Sequence, residues 1–274
     1  MNKAEHGGAF GFIVPLLVLM TAVFNLPLIG MLARSVSFPA LTAEHYQELF
    51  GTQLYLKVVL NTFQIAAIVT SVCVLIGYPL AYWMYGLPPR SQFIALALVV
   101  IPFWISVLIR TYAWIILLGN AGIVNQGLLA AGLVGSPIAF LYNKLGVAIG
   151  MVNLLLPFLV LPLFVAMLKI DTRLLHAATS LGASDSAVFW RVFFPLTLPA
   201  LAAGSLLVFI MSLGFYVTPM ILGGGRVPML VNMLDLLINR MPNWQLASAI
   251  SAILLVVTLA LYALGRRIGG QSLF

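Results

Sequence analysis

From Val58 to Pro89 the chain carries no charged side chain, and from Thr111 to Asn143 there is again none. A helix needs about 20 apolar residues to cross the hydrocarbon of a bilayer, so runs of this length constrain the fold before any other feature does. Of the 274 residues, 63% are hydrophobic and 7% charged, a balance that a soluble domain of this size does not carry. The protein reads as an integral membrane protein. The sparse charges outline six spans, roughly 10–32, 58–85, 93–118, 145–168, 199–222 and 246–265. The two uncharged runs exceed what one crossing needs, so each is expected to hold a span plus a re-entrant or interfacial piece.

The same pattern excludes other classes. The first span starts weakly basic at Lys3, yet its apolar core is longer than the 7 to 15 residues of a cleaved signal, so it is expected to stay in the mature protein. Cys73 is alone and mid-span, which leaves no disulfide framework and no thiolate metal site. The net charge of +7 comes from residues scattered singly at span ends and reads as membrane-related, with no nucleic-acid footprint. Nucleotide-binding, zinc-protease and Ser/His/Asp signatures are absent, so no catalytic residue is expected. The spans hold no carboxylate or histidine of the kind a proton-coupled carrier uses. With both termini cytoplasmic, the inner side has Lys3, Arg90, Lys169, Arg173, Arg191, Arg266 and Arg267, and the outer side Arg34, Lys57, Arg110, Lys144, Arg226 and Arg240. That bias is too small to orient the chain.

The longest polar interruption, Asp171 to Pro195, reads as two short helices. Asp171 caps the first and Gly182 ends it in the left-handed conformation; Ser184 caps the second, which Pro195 closes. Leu174, Leu175, Ala178 and Leu181 share one face of the first helix, while Arg173, His176 and Ser180 point elsewhere. This loop resembles the EAA loop of permease subunits of ATP-binding-cassette (ABC) importers, a pattern of E-A-A, three residues, Gly, nine residues and I-x-L-P. Ala177, Ala178, Gly182 and Pro195 match at the family's spacing, and His176, Val192 and Phe194 replace its Glu, Ile and Leu. The resemblance implies a coupling helix seated in a cytoplasmic ATPase, with Arg173, Leu174, Leu175, His176, Ala177, Ala178, Leu181, Gly182, Ala183 and Pro195 as its contact and turn residues. The competing reading is an amphipathic loop lying on the lipid interface.

Further matches extend the resemblance over most of residues 58–265. Asn61-Thr62 opens a span that carries Gly77-x-Pro79-x-Ala81 near its inner end, as in the permease family. Asn61 and Thr62 are able to hydrogen-bond across helices, and Gly77 allows close approach where Pro79 bends the helix. Tyr82, Trp83 and Tyr85 read as an interfacial belt. Pro102-Phe103-Trp104 and Arg110-Thr-Tyr-Ala-Trp114 are similar to the spermidine/putrescine type, as are Tyr216-x-Thr218-Pro219 and Leu222-Gly223-Gly224. Leu156-Pro157-Phe158, Leu161-Pro162 and Asn243-Trp244 match more generally. Gly146 and Gly150 offer a small-residue surface for helix packing, and Gly223 to Gly225 make a turn or hinge. Residues 41–50 read as a surface helix capped by Thr42, with Tyr46, Leu49 and Phe50 on one side.

Arg110 stands about 24 Å along its span at 1.5 Å per residue, toward the outer leaflet. It is either a path or helix-locking residue or an arginine that snorkels to the interface. Asp235 pairs with Arg240 or Arg226, or attracts an ammonium group. Arg110, Tyr112, Trp114, Tyr216, Asp235 and Trp244 are the candidate path or gate residues, where Tyr and Trp faces would suit a cation.

The resemblance implies an all-α membrane protein with the six-transmembrane-helix type I ABC importer permease fold and a cytoplasmic coupling (EAA) loop at 171–195. It is one permease domain over 1–274, with its core at about 58–265. Implied partners are two ATP-binding-cassette ATPase subunits that hold ATP and Mg, a second permease subunit as homologous heteromer or homodimer, an extracytoplasmic solute-binding protein, and membrane lipid. The chain itself is expected to bind no cofactor, metal or nucleic acid, and to sit multi-pass in a bacterial inner membrane. Its solute would be a polyamine or a related small organic molecule. An ATP-independent channel or secondary carrier is the alternative.

Overall fold

Lipid leaves a chain few ways to satisfy its amides other than within helices, and the described residues form helices joined by turns, with no strand among them. The computed structural model describes residues 14–269, with side chains through Arg266. Six crossings are long and apolar enough to span a membrane: α1 (Val14–Ser35), α3 (Gln53–Tyr85), a stretch over Val107–Ala130 made of α5 (Val107–Leu118) and α6 (Ile123–Ala130), α7 (Lys144–Leu168), α9 (Asp185–Leu213) and α12 (Trp244–Gly269). Shorter helices are α2 (Glu44–Gly51), α4 (Pro89–Trp104), α8 (Thr172–Ser180), α10 (Val217–Gly223) and α11 (Leu230–Asp235). The expected number of spans holds. Lys3 and residues 10–13 of the first expected span lie outside the described residues.

Several boundaries differ from expectation, each for a backbone reason. The run from Val58 to Pro89 holds no separate re-entrant piece, because α3 continues unbroken through Pro79 to Tyr85. The third span, expected at 93–118, is broken. Pro102 removes one donor, the chain tightens to a 3-10 turn over Ile101–Trp104, and Ile105 and Ser106 become extended with ψ of 133° and 136°. Arg110 therefore lies in the first turn of α5, and its depth does not follow from counting along one continuous helix. The fifth span, expected at 199–222, ends at Leu213 and resumes as α10 after Gly214. Pro195 does not close a helix either. A π turn over Phe189–Phe193 shifts the bonding register, Phe194 N–H donates to Phe189 C=O, and the missing donor of Pro195 falls at the shift.

The described chain divides into two compact units. The larger takes Lys57–Met233 and the chain from Val257 onward. Its spine is α7, whose Val147, Met151, Leu155, Leu159, Leu163 and Met167 are buried at a spacing of four residues, a stripe along one side of a helix. Close approach depends on absent side chains. A Cβ on Gly77 of α3 would lie 2.7 Å from Leu159 Cδ2, and one on Gly204 of α9 would lie 3.0 Å from Leu159 Cδ1, so Leu159 is gripped between two glycines. Gly150 accommodates Thr218 and Leu222 of α10 in the same way, whereas Gly146 lies against the Phe140 carbonyl.

Two turns into α3, side-chain hydrogen bonds tie the helix to a distant segment. Asn61 Nδ2 donates to Pro228 C=O (2.8 Å), and Leu230 N–H donates to Thr62 Oγ1 (2.9 Å). The pair thus reaches the backbone of a segment far along the chain.

The smaller unit takes the residues up to Leu56 and Leu234–Val256. Tyr46 of α2 donates to Ser35 Oγ at the end of α1 (2.9 Å), and Ser37 Oγ and His45 Nε2 are hydrogen-bonded at 3.0 Å. The helix start is Ala43, not Thr42: Ala43 C=O accepts from Gln47 N–H (3.0 Å), and no side chain caps it. Leu49 is buried while Phe50 is exposed, so the two do not share a packed side.

Candidate coupling site

The loop between α7 and α9 follows from its cap residues. Asp171 Oδ1 accepts from Arg173 N–H (2.9 Å) and starts α8; Ser184 Oγ accepts from Ala187 N–H (3.4 Å) and starts α9. At the end of α8, Gly182 N–H donates to Thr179 C=O (2.9 Å) and Ala183 N–H to Ala178 C=O (3.1 Å). These are the paired closing bonds of a helix that ends in a left-handed residue. Gly182 has φ +86°, a conformation glycine adopts without steric cost.

The apolar side of α8 is split. Leu175 is half-buried and packs on the cluster of Met84, Leu163, Met167 and Phe193, and Ala178, three residues on, is half-buried as well. Leu174 and Leu181 are exposed, Leu181 to 89%. Arg173, His176, Ala177 and Gly182 are also exposed, and Ala183 is half-buried.

Beside this loop lies an aromatic cluster that the sequence reading did not assemble. The rings of Tyr82 and Tyr85, read above as part of an interfacial belt, lie 5.3 and 5.1 Å from Phe193, and Tyr82 lies 5.0 Å from Phe189. Trp83 alone of the three keeps a largely exposed ring without such a contact. Tyr78 lies 5.4 Å from Phe194 and hydrogen-bonds Thr197 Oγ1 at 3.1 Å. A signal was present in the matched aromatic runs at 78, 82 and 85 and at 189, 193 and 194.

The six path candidates are distributed. Arg110, Tyr112, Trp114 and Tyr216 belong to the larger unit, Asp235 and Trp244 to the smaller. On α5, Trp114 packs on the core around Met151 and Leu222, while Tyr112 is exposed. Arg110 is half-buried, with Nε and Nη1 buried and without a protein hydrogen-bond partner. Tyr216 C=O accepts from Asn232 Nδ2 (3.2 Å). Asp235 accepts from Asn239 Nδ2 (2.7 Å), not from Arg240, because Asn239 stands four residues on, within the π turn Leu236–Arg240. Trp244 and Arg34 line a cavity of about 370 Å³ with Ser248 and Ser251. Among the described residues no group of three or more His, Cys, Asp or Glu side chains is placed to hold a metal.

No protein-family model matches the chain. The spermidine/putrescine transport system permease protein PotB of Haemophilus influenzae is 43% identical over 217 residues, which cover 78% of this chain and 74% of that protein. PotB of Escherichia coli is 36% identical over 250 residues, 89% of this chain and 90% of that protein. The chain belongs to the spermidine/putrescine-type permease subunits of ABC importers. The permease also resembles a chain of a bacterial ABC transporter involved in the import of the acidic polysaccharide alginate. That match has a TM-score of 0.73 at 17% identity, covers 97% of the permease and 98% of that chain, and is a likeness of fold alone. The six-span permease fold is the one expected.

Proposed function

We propose that the permease carries a polyamine, or a closely related small organic solute, using energy from ATP that it does not itself bind. The observation that carries this reading is a capped α8 between two spans with Leu181 almost wholly exposed. An apolar side chain held out on a rigid turn is suited to the cleft of another protein. The relatives' names support the solute. Two ATPase subunits holding ATP and Mg would grip Arg173, Leu174, His176, Ala177 and Leu181, while Leu175, Ala178, Gly182, Ala183 and Pro195 hold the loop in shape. A second permease subunit would complete the path, and a solute-binding protein would deliver to its outer side. Closure of the ATPases would move α8, and with it the spans.

In this reading the whole chain acts as one non-catalytic domain in the bacterial inner membrane, with both termini cytoplasmic. Tyr112, Trp114, Tyr216 and Trp244 supply aromatic faces for a cation, with Asp235 and Arg110 as polar gate groups. The test is spermidine uptake into proteoliposomes holding the full complex, with and without the ATPase. Uptake only with ATPase, ATP and binding protein is expected. Gradient-driven uptake without the ATPase would favour a channel or secondary carrier instead.

A further inference from the structure

Beyond its continuity with α7, where Ile170 packs on the cluster of Met84, Leu163 and Met167, the coupling loop has two attachments to its unit. One is slight, through Leu175 of α8. The other is the root of α9, which is continuous from Asp185 to Leu213, so that displacement of the loop moves α9 as a lever. The π turn shapes this root. By bonding five residues back rather than four, it brings Phe194 as well as Phe193 beside Phe189, with ring centroids at 6.2 and 6.1 Å. Those rings meet Tyr78, Tyr82 and Tyr85 of α3.

Ring contacts of this kind hold two helices together but fix their relative position weakly, since offset and edge geometries are close in energy. One contact in the cluster is directional. Thr197 Oγ1 donates to Phe194 C=O (2.8 Å), which uses its only proton, so the Tyr78 hydroxyl is the donor in the 3.1 Å bond to Thr197 Oγ1. Thr197 is fully buried, away from water that would compete for the bond. Tyr78 also adjoins Gly77, where α3 and α9 approach through Leu159. From there α3 runs about 26 Å, at 1.5 Å per residue, to Asn61 and Thr62, which hold Pro228 and Leu230.

We propose that the Tyr78–Thr197 hydrogen bond is the latch that makes α3 follow α9, so that Tyr78 is a positioning residue for coupling. Without it the aromatic surfaces slide, and loop movement is spent inside the cluster instead of reaching the Pro228–Leu230 segment at the other end of α3. The inference rests on the ATP-driven reading above and names the residue that transmits it.

The experiment uses the complete complex of permease subunits, ATPase and binding protein in proteoliposomes, and measures labelled spermidine taken up per ATP hydrolysed. Tyr78→Phe keeps the ring and removes the donor; Thr197→Val removes the acceptor. Each is expected to retain the ATPase in the purified complex and to hydrolyse ATP within about twofold of wild type, while spermidine moved per ATP falls about fivefold or more. The double variant is expected to be no worse than the single ones, because all three break the same bond. An unchanged ratio in Tyr78→Phe and Thr197→Val overturns the latch. So does an additive double variant, or hydrolysis and uptake falling together, which marks a merely structural bond. Should Thr197→Val fail to assemble, Tyr78→Phe and its ratio decide alone. A wild-type complex that moves spermidine with no ATPase present overturns the ATP-driven reading first, and the latch with it.

Discussion

Gly182 is the position where a substitution should separate coupling from folding. Its φ of +86° is disfavoured for residues with a Cβ, while a Cβ there would meet nothing within 4 Å. The cost of substitution is therefore conformational and not steric. For alanine it is about 1–2 kcal/mol, a factor of about five to thirty in the population of the native turn. Valine, β-branched, is a stronger outlier at positive φ. Asparagine visits this region readily and should stay close to wild type. Membrane insertion and subunit yield should be equal across the series, because no packed residue is disturbed. What should fall, in the order Asn, Ala, Val, is the ATPase retained per permease when the complex is captured in mild detergent. Valine should retain almost none. Equal loss in all three variants would show that φ is not the cause, and full retention by Gly182→Val would refute the claim that this turn aims the coupling helix.

Three further predictions follow from the packing and the loop. Gly77→Ala places a methyl against Leu159, which Gly204 leaves little room to retreat. It should lower complex stability by about 1–3 kcal/mol, measured by thermal unfolding and partly restored by Leu159→Val; no loss would mean the crossing is not tight. Thr62→Val leaves the buried Leu230 N–H without its acceptor, at a cost of about 1–3 kcal/mol. Faster amide exchange at residues 229–232 is the readout, and unchanged exchange would deny Thr62 its holding role. His176→Glu, at an exposed position where the EAA pattern that the loop resembles has Glu, should leave ATP-driven uptake within about twofold; complete loss would show that the imidazole makes a contact of its own.

How much of this was legible in the chain depends on the range of the interaction. The caps at Asp171 and Ser184 and the turn at Gly182 were readable because each bond closes within a few residues. The number of crossings was readable because hydrocarbon thickness sets it. The break at Ile105–Ser106 was not, since hydropathy records how residues partition and says nothing of backbone continuity. Pro195 misled for a related reason: a π turn upstream absorbs the donor it lacks. The aromatic contacts of Tyr78, Tyr82 and Tyr85 join segments more than a hundred residues apart, and an interfacial belt has the same composition. Asp235 was assigned a charged partner because charges near lipid are usually paired, whereas a neighbouring amide in the π turn reaches it first.

The central claim is that α8 is gripped by an ATPase at the inner face of the membrane. Cys73, the single cysteine, is buried within α3, so Leu181→Cys adds the one accessible thiol among the described residues. Treated with a short bifunctional crosslinker in inside-out vesicles, that thiol should join to the ATPase subunit, and the yield should change when ATP is added. A thiol that reacts only from the extracytoplasmic side, or that is freely accessible from the inside yet never joins to the ATPase, would contradict the account.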